Sequence, residues 1–89
     1  MAFKKDPDAT LDYTFDWTAY LAAEGDLISS VAWVLSTGLL QVSAVPSTTA
    51  PSVFVSGGVL DNTESVTCRI TTTGGRIDDR TAFLTIVQR

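Results

Sequence analysis

Asp6, Asp8 and Asp12 are spaced like the ligands of a calcium loop, because hard cations draw oxygens from closely set carboxylates. The rest of that pattern is missing: no glycine stands at the sharp turn and no glutamate closes the loop. Asp6-Pro7 is turn chemistry, so the segment reads as a solvated stretch without a metal. Asp78 and Asp79 form a second acidic pair of the kind used for general acid and base work. Successive strand residues point to opposite faces, however, and Arg69, Arg76 and Arg80 lie near enough in sequence to pair with both across a hairpin. The chain contains no histidine. A serine, threonine or cysteine nucleophile therefore lacks its usual base, and most transition-metal sites lack a ligand. Cys68 is the single cysteine and falls in phase with Val66 and Ile70, which makes it a buried thiol and rules out an internal disulfide. Gly57-Gly58 and Gly74-Gly75 lack the lysine and strand-to-helix context of a phosphate loop and read as turn glycines. No catalytic residue, cofactor or metal is expected.

These side chains must be held by strands. Leu11, Tyr13, Phe15 and Trp17 alternate with Asp12, Thr14 and Asp16, the period of two of a half-buried strand whose apolar face needs a second layer. Thr18 to Gly25 reads as a short helical turn, followed by strands at about Leu27 to Leu35, with Val31, Trp33 and Leu35 on one face, and Leu39 to Val45. A proline-bounded loop, Pro46 to Pro51, precedes a strand at Ser52 to Ser56. The clearest hairpin joins Ser65 to Thr72 with about Arg80 to Gln88 through Thr73-Gly74-Gly75-Arg76, where glycine can take positive φ. The expectation is an all-β fold: a small antiparallel immunoglobulin-like β-sandwich of about six to seven strands, with residues 1–10 as an N-terminal arm and 11–89 as the domain. Trp17 and Trp33 would suit a carbohydrate platform if exposed, but both lie in phase with apolar partners and read as core. The last strand is apolar on both sides, with Ala82, Leu84 and Ile86 on one and Phe83 and Val87 on the other. Its second face is either covered or offered to a partner.

Composition narrows the class of partner. Six basic against ten acidic residues give a net charge of −4, which argues against a nucleic-acid surface. Leu27 to Leu60 carries no charge at all, yet its serines, threonines and glutamine interrupt any membrane helix, and it reads as a pair of central strands beside a solvated loop. No basic start followed by an apolar run is visible, so no signal peptide is expected. A core of 89 residues without disulfides leaves a net of about 3–5 kcal/mol, a size at which neighbouring copies or a larger partner help.

The run Lys4-Lys5-Asp6-Pro7-Asp8-Ala9-Thr10-Leu11-Asp12-Tyr13, continuing to Asp16-Trp17, resembles small tailed-bacteriophage virion proteins of the fiber-tail adaptor family. Arg69-Ile70-Thr71-Thr72, Gly74-Gly75-Arg76 and Asp78-Asp79-Arg80 are similar to the second signature of that family. The resemblance implies a non-enzymatic structural protein of the virion, assembled in a bacterial host in several copies with tail, neck or fiber subunits. Capsid decoration on the major capsid protein, and a carbohydrate or host-surface module, are the alternatives. The expected interface combines Lys4, Lys5, Asp6, Pro7, Asp8, Asp12 and Asp16 with Phe83 and Val87.

Overall fold

The computed structural model describes residues 2–88, and the alternation of residues 11–17 turns inward as its pattern requires: Tyr13, Phe15 and Trp17 are all buried. Only Leu11–Thr14 pairs as a strand, β2, shorter than the sequence suggests. Its partner is β5 (Ser52–Gly57), with Thr14 opposite Ser52. The next residue on that partner is Pro51, which has no N–H to continue the ladder. Phe15 and Trp17 still donate their backbone N–H groups to the carbonyls of Pro51 and Thr49, so the chain stays in place without a regular ladder.

The helix α1, Thr18–Glu24, follows, with Leu21 as its buried residue. Gly25 ends it at φ 61°, donating to the Ala22 carbonyl while the Asp26 N–H reaches the Leu21 carbonyl. This paired closure needs a left-handed residue, which glycine adopts without a Cβ penalty.

Seven strands among the described residues make two sheets. With β1 as Ala2–Lys5, β3 as Ile28–Leu35, β4 as Leu39–Val45, β6 as Thr63–Thr72 and β7 as Ile77–Ile86, the larger sheet has the order β1-β7-β6-β3 and the smaller β2-β5-β4. The β4–β5 and β6–β7 pairs are sequential and antiparallel, whereas β1 runs parallel to β7. The result is an all-β sandwich. Val53 and Val55 of the smaller sheet meet Val66, Cys68, Ile70, Ala82, Leu84 and Ile86 of the larger one, each fully buried. A bulge between Ile28 and Ser30 resets the alternation of β3, so that Ile28 and then Val31, Trp33 and Leu35 all face the core side.

Three sequence expectations change. Ala2–Lys5, expected within an N-terminal arm, is the outermost strand of the larger sheet, and the Phe3 ring packs on Tyr13 with centroids 5.1 Å apart. β3 and β4 are not central: each is the last strand of its sheet, because the chain crosses between sheets after β3 instead of forming a hairpin. Arg76 and Arg80 do not join Asp78 and Asp79. Arg76 pairs with Glu24 and Asp26, and Arg80 lies 4.2 Å above the Trp17 ring with its guanidinium donating to the Asp16 carbonyl. Arg69 alone keeps the expected pairing, with a two-pronged contact to Asp79 directly across the hairpin.

Candidate docking surface

The strand order gives the sandwich two open sides of opposite chemistry. On one side lie β1 and β2, tied by the Phe3–Tyr13 contact. Lys4 is exposed there, and Asp6 caps a tight turn by accepting the Asp8 N–H at its Oδ1. Pro7 sits half-buried in that turn. Asp12 lies on the outer face of β2 opposite Phe54, and Asp16 accepts the Thr18 N–H at the start of α1. The Thr18 hydroxyl first and then its amide, with Arg80 nearby, hold the Asp16 carboxyl below the usual carboxylate range.

Lys5 belongs to this side in sequence but not at its surface. Its side chain is enclosed, and the ammonium donates to the carbonyls of Asp6 (2.9 Å) and Gly57 (2.7 Å). Burial lowers its pKa, with Asp6 and Asp8 pulling the other way. Lys5 therefore closes the end of the sandwich and offers nothing to a partner. Phe83 is 51% exposed on the outer face of the larger sheet, opposite Ala2. Val87, half-buried just beyond β7, donates its N–H to the Lys5 carbonyl. Lys4 shares the outer face of Phe83, because it stands opposite Thr85, whereas Asp12 looks outward from the other sheet. The residues expected to form one interface thus divide over two faces and a turn.

The opposite side is built by β3 and β4, both of which lie within the charge-free span Leu27 to Leu60. Leu40, Val42 and Val45 are 66%, 57% and 51% exposed along β4, with Val34 and Leu27 similarly open. Between the two strands runs a groove of about 500 Å³ whose walls include Val31, Trp33, Ala44, Val45 and Pro51. Its floor is closed at one end by a backbone hydrogen bond from Ile28 to Thr48. No charged side chain lines it. The sequence carried the signal for this surface in its uncharged span, but hydropathy alone cannot separate a covered central strand from an open edge.

The groups weighed for chemistry sit apart from one another or inside the fold. Asp78 and Asp79 take opposite faces of β7, and among the described residues no three acidic or sulfur ligands converge on a cation site. Cys68 is fully buried, and burial pushes its thiol pKa up. Trp17 is covered by Arg80 and Tyr20, and Trp33 stacks on Phe15 at 5.6 Å.

No curated protein matches the chain. The family model described as podophage GP4 fiber-tail adaptor protein gp77 matches residues 5–85, a span that takes in both charged sequence signatures apart from Lys4 and every strand from β2 to β6. With its model covering nearly the whole sandwich, the chain belongs to this phage fiber-tail adaptor family, whose role is structural.

Proposed function

We propose that the protein is a non-enzymatic subunit of a phage particle that holds tail and fiber components together by packing, in several copies, among other virion proteins. The family match over residues 5–85 carries this reading. The strand order, β1-β7-β6-β3 over β2-β5-β4, supports an immunoglobulin-like arrangement within it. An adaptor must contact two neighbours at once, and a sandwich whose two open sides differ in charge suits that task. Lys4, Asp8 and Asp12 mark one side, together with Phe83 on the adjoining outer face; the uncharged β3–β4 margin marks the other. A sugar platform needs aromatic rings open to solvent, whereas Trp17 is buried beneath Arg80 and the half-covered Trp33 packs against Phe15 in a groove without charged side chains, which favours protein partners.

Gradient-purified particles tested by mass spectrometry should contain the chain in stoichiometric amounts. Immunogold labelling should then decorate the tail or its junction with the head. Absence from particles would end the proposal, and label over the capsid faces would replace it with head decoration.

A further inference from the structure

The smaller sheet has three strands where the larger has four. β4 has β5 on one flank and, among the described residues, no strand on the other, so main-chain groups along that margin are left to solvent. Proteins usually deter pairing at such an edge with lysine, proline or an inward charge. Leu39–Val45 contains none of these, and its one irregularity falls between Gln41 and Ser43. Beside the vacant position runs the neutral groove in which Val31 and Trp33 remain only half-covered.

We propose that this margin is a strand acceptor: an extended, uncharged segment of a different virion polypeptide adds beside β4 as the fourth strand of the smaller sheet. Alternate apolar side chains of that segment seat in the groove over Val31 and Trp33. The proposal rests on the tail-adaptor reading and adds to it which side binds and what chemistry the partner brings.

Three observations select this occupant. Unpaired main-chain donors and acceptors along β4 are satisfied by another polypeptide backbone, while the groove beside them reads every second side chain. The lining offers no counter-charge, so an ionised side chain entering it would be desolvated without compensation. The third observation disfavours a second copy of this chain. Register places Gln41 opposite Val55 and Ala44 opposite Val53; Leu39, the one large inward residue of β4, is already buried in its own core, which leaves an amide and a methyl to face a neighbouring copy. Such a strand is a poor filler for an apolar groove.

The test uses particles of the phage that encodes the chain. Ala44→Lys places a charge in the groove, and Val59→Lys places the same charge on an exposed loop away from it. Incorporation of Ala44→Lys should fall at least about tenfold, the scale of burying one unpaired charge, while Val59→Lys assembles normally and both purified variants melt cooperatively. In parallel, a photo-crosslinking amino acid in place of Val42 should join the chain to an uncharged stretch of another virion protein. That arm stands even if Ala44→Lys fails to fold. Wild-type incorporation of Ala44→Lys overturns the strand-acceptor proposal alone. So do crosslinks to residues 39–45 of a second copy, to a charged segment, or to nothing. Absence of the wild-type chain from particles overturns the adaptor reading and this proposal together.

Discussion

At the residue scale, Asp26 does more than its place in a Gly-Asp turn suggests. Its carboxylate is buried between the end of α1 and the β6–β7 turn, where Oδ1 accepts from Thr73, Gly74 and Leu27 and Oδ2 from Arg76. The hydroxyls of Thr72 and Thr73, with the Leu27 and Gly74 amides, hold this carboxyl well below the usual range against the opposing effect of burial. A Cβ at Gly74 would come within 2.9 Å of Oδ2, so a larger residue in the turn would push against the carboxylate of Asp26. Asp26→Ala removes every acceptor at once and strands several donors. It should lower the melting midpoint by about 5–10 °C at neutral pH. Because the folded-state pKa is depressed, the stabilisation is complete above the ordinary carboxylate value of about 4 and is lost as pH falls through the folded-state value. Calorimetry from pH 7 downward should therefore show the gap between wild type and variant closing in strong acid; a gap that widens on acidification would refute the assignment.

At the element scale, β1 shows why a polar segment is hard to read. Lys4-Lys5-Asp6 looks solvated by composition, but parallel pairing with β7 places Lys5 on the core side of the sheet, where carbonyl oxygens satisfy its ammonium. Hydropathy reports transfer from water and is blind to a charge whose donors are met inside the fold. Deleting residues 1–8 removes this strand, the Phe3–Tyr13 contact and the acceptor for the Val87 amide. The melting midpoint followed by circular dichroism should drop by roughly 10 °C or more. An unchanged midpoint would restore the free-arm expectation. The β6–β7 hairpin was easier to read, since it follows from two β-rich runs and a glycine-bearing turn.

At the scale of the whole molecule, both sheets share one core, and Cys68 lies at its centre with no exposed surface. The thiol is thus a reporter of global opening. In native buffer a thiol reagent should modify Cys68 no faster than the protein unfolds, and urea should speed both in parallel. Rapid labelling of folded protein would mean that the sandwich opens locally near β6. The proposed docking surface also emerges only at this scale. The sequence pointed toward the charged N-terminal run and the two-sided last strand, and the structure does expose Lys4, Asp8, Asp12 and Phe83. It also sets a second, neutral margin on the far side of the sandwich, formed by strands that read as covered.

Alternation and turn residues were enough to establish an all-β two-layer fold, the positions of most strands and a buried Cys68. These are local properties, fixed by side-chain period and by which residue types are present. Strand order is not local. Whether Leu27 to Leu60 is sheltered or open depends on which strands stand beside β3 and β4, and the crossings between sheets leave both at an edge. The same nonlocal pairing turned a lysine-rich segment into a strand and an uncharged span into the surface most suited to another chain.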